Sequence, residues 1–375
     1  MRSWFTIVPI LTLLALVSPV SAGAAPCDRL ALLPFAHARV TSANIVSAGT
    51  FVLPPASPRS SSDFFTAFEK LTAFCRVQGV IAPARDSHIE FEVWLPVSDW
   101  NGKYIGAGNG GLGGTINYYR IAEAVNAGYV GSSTDIGHRI STIGEDHWDD
   151  DRAKRIDFDH RAIHETAVLS KALAMAFYET PVLRSYFISC SNGGRQALVE
   201  AQRYPSDYDG IIAGAPSFTP ALNLNHNAKD FVNLTAFKSR GGKLILYHGE
   251  RDLPSETVTY YQKVVSKMGR TSADEFIRLF IVPEMGHCGG GPVPDFGLRL
   301  WPVQSDPQRS LSVALERWVE RGVPPDTMIA TKHLIDGDAT SDVIRTRPLC
   351  AYPLLPWWTT GDVDEATSYS CRLPR

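Results

Sequence analysis

The chain has 375 residues, of which 44% are hydrophobic and 20% are charged, and its formal net charge is −3 at pH 7. These proportions are typical of a globular protein with a buried core, and the length allows one large domain or two smaller ones. The sequence contains no basic block or stripe that could neutralise phosphates. We therefore expect neither a nucleic-acid partner nor attraction to an anionic membrane surface.

The first 22 residues have the layout of a secretory signal peptide. Arg2 precedes an apolar stretch, and small residues around Ala22 offer a cleavage site. The stretch is short for a membrane anchor and contains Pro9, and no later segment approaches the roughly 20 apolar residues that span a bilayer. We expect cleavage after Ala22, or two or three residues later, and a product that is secreted to the periplasm or the medium without membrane insertion.

From residue 89 onward, short β-prone runs alternate with helical patterns. Residues 89–95 alternate apolar and polar side chains, as in a half-buried strand, and residues 160–178 place apolar side chains at helical spacing. Further strands are predicted at residues 103–107, 128–133, 185–189, 210–213, 243–247 and 280–282. This alternation is typical of a mostly parallel sheet covered by helices on both faces, so we expect one α/β domain over residues 23–375.

The most informative segment is an apolar strand that leads directly into Ser191 and then into a helical pattern. A serine on such a sharp strand-to-helix turn needs small residues two before and two after it, and these positions hold Ser189 and Gly193. The usual pattern has glycine at both, so Ser189 is a departure. The backbone N–H of Asn192, at the helix start, could bind an oxyanion. The alternative is a glycine-rich turn whose serine only caps the helix.

A candidate acid and a candidate base follow Ser191 in the chain. A serine hydroxyl becomes an effective nucleophile when a base takes its proton and a third group holds that base. Two apolar strands downstream end in turns, the first with Asp252 and the second with His287. Serine, acid and histidine in this chain order are typical of α/β-hydrolases, and residues 23–375 are therefore expected to have that fold.

Other polar residues have simpler interpretations. Glu250 is an alternative acid if its turn is wound differently, and His248 is expected to be satisfied by local hydrogen bonds. His160 and His164 lack the glutamate position of a metalloprotease motif, so helix packing or capping is favoured. Residues 149–151 are three aspartates that a solvated acidic run explains better than a calcium site. No C-x-x-C pair indicates zinc.

The segments around these residues resemble the tannase and feruloyl esterase family, which also includes the hydrolase of mono(2-hydroxyethyl) terephthalate. The resemblance covers most of residues 90–371, in the segments 100–114, 133–138, 159–215, 242–252, 278–292 and 347–371. Its most specific motifs are the pairs Cys190-Ser191 and His287-Cys288. It implies Ser191 as nucleophile, Asp252 as acid, His287 as base, and Asn192 and Gly110 as oxyanion donors. Gly110 lies in a glycine-rich loop, where the absence of a Cβ lets the backbone approach a reacting carbonyl.

The six cysteines of an exported chain suggest disulfides, but six allow fifteen full pairings and the sequence alone does not choose among them. The resemblance implies Cys190–Cys288, which would tether the two catalytic loops. We also expect Cys350–Cys371 as a C-terminal disulfide, which leaves Cys27 with Cys75.

The chain departs from the family in its lid. Family members carry a long lid that often holds calcium and contacts an aromatic acyl group, whereas here only residues of about 217–241 are available. We expect a small cap, no calcium or other cofactor, and a site open to bulky esters.

The resemblance implies a secreted serine carboxylic ester hydrolase that acts through an acyl-enzyme on feruloyl-, galloyl- or terephthaloyl-like esters. Its substrate could be a small molecule or a polymer, and a monomer is favoured. Two alternatives stay open: an amidase or peptidase on the same triad, and a non-catalytic ligand-binding relative.

Overall fold

The computed structural model describes residues 26–54, 68–139, 148–218, 232–289, 306–335 and 341–374. The predicted signal peptide and residues 219–231 of the predicted reduced lid lie outside these ranges. The strands are β1 (Ala38–Val46), β2 (Phe74–Ile81), β3 (Ile89–Pro96), β4 (Lys103–Ala107), β5 (Val130–Thr134), β6 (Arg184–Cys190), β7 (Gly210–Gly214), β8 (Lys243–Gly249), β9 (Ile277–Val282), β10 (Thr327–His333), β11 (Val343–Cys350), β12 (Leu355–Trp358) and β13 (Tyr369–Arg372). The α-helices are α1 (Tyr118–Asn126), α2 (Arg152–Ile156), α3 (Ala162–Tyr178), α4 (Asn192–Arg203), α5 (Thr235–Ser239), α6 (Ser255–Met268), α7 (Arg270–Asp274) and α8 (Leu311–Arg321).

Nine strands form one sheet in the order β1-β2-β3-β5-β4-β6-β7-β8-β9. The six strands from β5 to β9 in this order are mutually parallel, while β1, β2 and β3 form an antiparallel edge that joins the rest through β5. The predicted mostly parallel α/β fold is confirmed. Because parallel strands end at the same edge of a sheet, residues that follow β4, β6, β8 and β9 lie on one side of the molecule.

Both faces of the parallel strands are buried under helices. Along β8, Leu244 and Leu246 belong to one hydrophobic cluster and Ile245 and Tyr247 to the other, as the two-residue period of a strand requires. The first cluster contains residues of α3 and α4, and the second contains residues of α8. Each fully buried large apolar side chain contributes roughly 1.5–3 kcal/mol, so the doubly covered sheet provides a rigid support for its end loops.

Three disulfides join the described parts of the chain, and Cys190–Cys288, the pairing that the family resemblance implies, is among them. Cys27–Cys75 connects an N-terminal 3₁₀ turn to β2. Cys350–Cys371 connects β11 to β13. The third, Cys190–Cys288, connects the end of β6 to the loop after β9. It joins two loops at the same edge of the sheet.

Candidate active site

Ser191 occupies the turn between β6 and α4. Its backbone has φ 64° and ψ −125°, a conformation that costs a non-glycine residue conformational energy. Neighbouring backbone holds it there, because the Ser191 N–H donates to the Gly214 carbonyl at 2.9 Å. The Ser191 carbonyl accepts from the Arg195 and Ser217 N–H groups, each at 3.0 Å. A strained serine between a strand and a helix is the geometry that presents a nucleophilic hydroxyl.

The departure at Ser189 has a structural explanation. A Cβ placed on Gly193 would lie 1.8 Å from Ser189 Oγ, and one placed on Gly108 would lie 2.7 Å from the same atom. The Ser189 side chain therefore fills the space that these two glycines leave open. Gly194 is required for another reason, since its Cβ would lie 2.3 Å from the Gly214 carbonyl oxygen. The turn keeps its shape with serine at position 189 because glycine is present opposite it.

Asp252 and His287 meet at the ends of β8 and β9. Asp252 closes a 3₁₀ turn that begins directly after β8, and His287 lies in the loop that follows β9. The His287 Nδ1 and Asp252 Oδ2 atoms are 2.5 Å apart. An ionised carboxylate only accepts, so Nδ1 carries the proton and Nε2 keeps its lone pair. The His287 side chain is 51% exposed, which leaves Nε2 accessible to a substrate.

The alternative acid does not contact this histidine. Glu250 accepts a hydrogen bond from the Glu284 backbone N–H at 3.1 Å, so it helps to fix the loop before His287. His248 lies beside Asp252, with its Nε2 3.0 Å from Asp252 Oδ2. Of the acidic candidates at this turn, Asp252 is the one that the structure pairs with His287.

The Cys190–Cys288 disulfide joins the chain neighbours of the proposed nucleophile and base. Its two Cα atoms are 5.8 Å apart, and each cysteine is the immediate neighbour of Ser191 or His287. Since consecutive Cα atoms are about 3.8 Å apart, the Cα atoms of Ser191 and His287 lie within about 13 Å of each other. The disulfide therefore limits how far the loops that carry Ser191 and His287 can separate.

The two predicted oxyanion donors lie on the first turn of α4 and in the glycine-rich loop. Asn192 is the first residue of α4, so its N–H has no partner within the helix. Gly110 is exposed, and the position of its absent Cβ has no atom within 4 Å. The open space beside Gly110 is compatible with the close approach of a substrate carbonyl.

Two residues that the sequence analysis did not single out hold these donors in place. Gln196 Oε1 accepts from the Asn109 N–H at 3.0 Å, which ties the loop before Gly110 to α4. Arg195 Nε donates to Asn192 Oδ1 at 2.8 Å, and its terminal nitrogens donate to the carbonyls of Phe158 and Asp159. Burial lowers the pKa of Arg195 to about 10, so it stays charged at neutral pH. The sequence feature that could have identified Arg195 and Gln196 is their position about one helical turn after Ser191.

The remaining candidates have structural partners. His160 Nδ1 lies 2.8 Å from the Tyr204 hydroxyl, and His164 Nδ1 lies 2.6 Å from Asp207 Oδ2. Asp151 caps α2 by accepting from two backbone N–H groups. Within the ranges that the structure describes, no three histidine, cysteine or acidic side chains are grouped so that they could hold a metal ion.

The sheet order and the strand-end placement of the serine, acid and histidine define an α/β-hydrolase. The family model "Tannase and feruloyl esterase" matches residues 75–231 and 230–372. The chain belongs to the tannase and feruloyl esterase family, and it is a carboxylic ester hydrolase.

Known relatives agree with this assignment. An uncharacterised esterase of Xanthomonas campestris is 27% identical over 546 aligned positions, which cover 95% of this chain and 92% of that protein. A probable feruloyl esterase B-2 of Aspergillus oryzae is 35% identical over 199 residues, 53% of this chain and 37% of that protein. The fold is shared with the crystal structure of an esterase from Aspergillus oryzae, with a TM-score of 0.80, 22% identity and coverage of 92% of this chain and 99% of that one.

Proposed function

We propose that Ser191, His287 and Asp252 form the catalytic triad of this esterase and that hydrolysis proceeds through an acyl-enzyme. The observation that carries the proposal is the 2.5 Å contact between His287 Nδ1 and Asp252 Oδ2, on a loop that a disulfide ties to the residue before Ser191. The strained backbone of Ser191 supports its role as nucleophile.

The proposed reaction has two steps. Ser191 Oγ attacks the ester carbonyl carbon while His287 Nε2 takes the hydroxyl proton, and Asp252 stabilises the imidazolium that forms. The N–H groups of Asn192 and Gly110 stabilise the tetrahedral oxyanion. The alcohol leaves with the proton from His287, and an acyl group remains on Ser191. A water molecule then attacks the acyl carbonyl carbon while His287 takes a proton from it. As the bond to Ser191 Oγ breaks, His287 returns that proton to Ser191 and the carboxylic acid leaves.

Aromatic esters are the proposed substrate class, of feruloyl, galloyl or terephthaloyl type. The support is the family and the printed name of the Aspergillus oryzae relative. Bulky or polymeric esters are proposed as well, because this chain lacks residues that its relatives have, and a smaller lid leaves the site more open. The alignment with the Xanthomonas protein has 546 positions against 375 residues here, so at least 171 of them face gaps in this chain. The two segments of the family match meet at residues 230–231, within the predicted reduced lid.

The family's calcium ion does not fit the reduced lid. Calcium takes six to eight oxygen ligands, largely from carboxylates. Residues 217–241 contain a single acidic side chain, Asp230. The proposed mechanism accordingly uses no metal.

Secretion is also a proposal. It is supported by the predicted signal peptide and by three disulfides, which form and persist in oxidising compartments. Among the residues that the structure describes, no helix has the length and apolar character needed to cross a membrane. Fractionation of cells that express the full chain, compared with a chain lacking residues 1–25, tests the proposal. Retention of the full-length product in the cytoplasm would contradict it.

Ser191→Ala tests the triad. We expect turnover of p-nitrophenyl esters to fall by at least roughly 10³-fold while the unfolding midpoint stays near that of the wild type. A fluorophosphonate should label the wild-type enzyme at Ser191 and leave the variant unlabelled. Labelling of another residue, or substantial turnover by the variant, would refute the assignment.

A substrate panel tests specificity. Acetate, benzoate, gallate, ferulate and terephthalate esters should rank with the aromatic acyl groups first. Matched p-nitroanilides test the amidase alternative, and hydrolysis of the anilides at rates near those of the esters would favour it.

A further inference from the structure

His248 is a buried histidine that contacts the proposed triad and takes no part in the two steps above. It is the penultimate residue of β8, and only 6% of its surface is exposed. Its Nε2 lies 3.0 Å from Asp252 Oδ2 and 3.1 Å from the Asp252 carbonyl oxygen. Its Nδ1 lies 2.8 Å from the hydroxyl of Thr257, which is fully buried on α6. Every ring nitrogen of His248 therefore has a defined partner.

These partners fix the tautomer of His248. Both neighbours of Nε2 are oxygens that only accept, so Nε2 must carry a proton. Burial lowers the pKa of His248, which keeps the ring neutral near pH 7. In a neutral imidazole the other nitrogen is an acceptor, so Nδ1 accepts from the Thr257 hydroxyl. Thr257 thus orients the ring, and the ring presents its N–H to Asp252.

The consequence is that one carboxylate oxygen serves two histidines. Asp252 Oδ2 accepts from His248 on the buried side and from His287 on the exposed side. His248 also donates toward the Asp252 carbonyl, so it restrains both the backbone and the side chain of the acid. The residue after Asp252, Leu253, has φ 53°, and such a turn keeps its shape only where the surroundings impose it.

The charged groups around His248 are few. Asp252 contacts its imidazole directly, and His287 lies on the other side of the same carboxylate oxygen. Other ionisable side chains on the neighbouring turn, loop and helix start are exposed and are therefore screened by solvent and salt: Glu250, Arg251, Glu256 and Glu284. The electrostatic effect of His248 is therefore exerted mainly through Asp252.

We propose that His248 is a positioning residue of the triad, which holds the Asp252 carboxylate toward His287 and shares its negative charge. This inference rests on the proposed function. A carboxylate whose charge is partly taken up by a second hydrogen bond stabilises the protonated form of His287 less. The ring also prevents the side chain of Asp252 from turning away, which keeps the proton acceptor aligned. These contacts join protein atoms only, so the effect of His248 is present in the free enzyme.

A matched pair of substitutions tests the proposal. His248→Gln keeps an amide N–H close to the position of Nε2, whereas His248→Met has nearly the same length and no donor. We expect His248→Met to lower kcat by up to about 100-fold for a p-nitrophenyl ester, with a smaller change in KM. In a plot of kcat/KM against pH, the acid limb of the His248→Met variant should move to higher pH. His248→Gln should restore most of both properties.

Thr257→Val is a second test of the proposal, and it leaves His248 in place. Without the hydroxyl the ring loses the partner that sets its orientation, so we expect a smaller change in the same direction, and Thr257→Ser should behave like the wild type. Unfolding midpoints of all variants identify any that are simply unfolded. Because the valine variant is nearly isosteric, it keeps the test decisive if His248→Met does not fold.

The outcomes separate this inference from the proposed function. If Ser191→Ala retains turnover, the triad assignment itself fails. If Ser191→Ala is inactive but His248→Met and Thr257→Val keep the wild-type kcat and an unmoved acid limb, only the role of His248 fails. An acid limb that moves to lower pH, or a glutamine variant no better than the methionine variant, would also overturn the role of His248.

Discussion

Removal of the Cys190–Cys288 disulfide should impair catalysis beyond its effect on stability. The bond closes a segment of 98 residues, for which the chain-entropy relation gives a stabilisation of up to about 4.7 kcal/mol. It also ties the loop of His287 to the residue before Ser191. With both cysteines replaced by alanine, the two loops are held only by packing. A misplacement of about 1 Å between base and nucleophile can reduce the rate roughly 100-fold, and we expect kcat to fall by about that factor.

The chain offers a matched control in Cys27–Cys75. Its cysteines are separated by 48 residues, which corresponds to up to about 4.1 kcal/mol by the same relation. Both are buried, with 5% and 0% of their surfaces exposed, so their replacement also leaves cavities. The control should therefore lose at least comparable stability. It lies at the antiparallel edge, away from the strand ends that carry the site, so its kcat should stay near that of the wild type.

The assay compares kcat of the two double variants at a temperature where both are folded, as judged by near-ultraviolet circular dichroism. Fluorophosphonate titration counts the active sites in each sample. A folded Cys190→Ala, Cys288→Ala protein with the wild-type kcat would refute the tethering argument. Equal losses of kcat in the two double variants would also refute it, because stability alone would then explain the result.

Two further predictions concern single positions. Gly193→Ala should destabilise the enzyme by roughly 1–3 kcal/mol and reduce activity, because its Cβ would lie 1.8 Å from Ser189 Oγ. The double variant with Ser189→Gly should recover both properties in denaturation and activity measurements, and no recovery would contradict the steric explanation. Burial raises the pKa of Asp135 to about 8 in the folded protein. The contribution of this carboxyl group to folding stability is therefore complete below its unfolded-state pKa of about 3.9, and it is lost as the pH rises through about 8. Asp135→Asn should flatten this decline in urea denaturation measured across that range, whereas an unchanged slope would contradict it.

Local sequence patterns predicted the parallel part of the sheet well. The strand β4 was predicted with the bounds Lys103–Ala107 that the structure has. The strand predicted at residues 128–133 begins instead at Val130, because the Gly128 N–H bonds to the Val125 carbonyl and closes α1. The helix predicted at residues 160–178 is α-helical from Ala162, after a π-helical turn at Asp157–Arg161. These differences lie at element ends, where hydrogen bonds between neighbouring elements decide the boundary.

In the antiparallel edge, β3 was predicted at residues 89–95, whereas β1, β2 and the C-terminal hairpins were not predicted. The strand β1 has no strict alternation of buried and exposed residues, and its partner β2 begins 28 residues after β1 ends. Pairing between strands so far apart in the sequence depends on the sheet edges that the rest of the fold leaves available. A pattern within a short window of sequence does not contain that information.

The sequence alone was sufficient to identify the strand, the tight turn and the helix start around Ser191, because each of these depends on residues that are neighbours in the chain. It also indicated Asp252 and His287, since each follows an apolar strand. Only the tertiary structure decided that Asp252 rather than Glu250 contacts His287, and that His248 contacts the same oxygen. The space around Ser189 was likewise set by Gly108, from a different strand end. Contacts between strand ends depend on sheet order and on side-chain direction, which are properties of the folded chain as a whole.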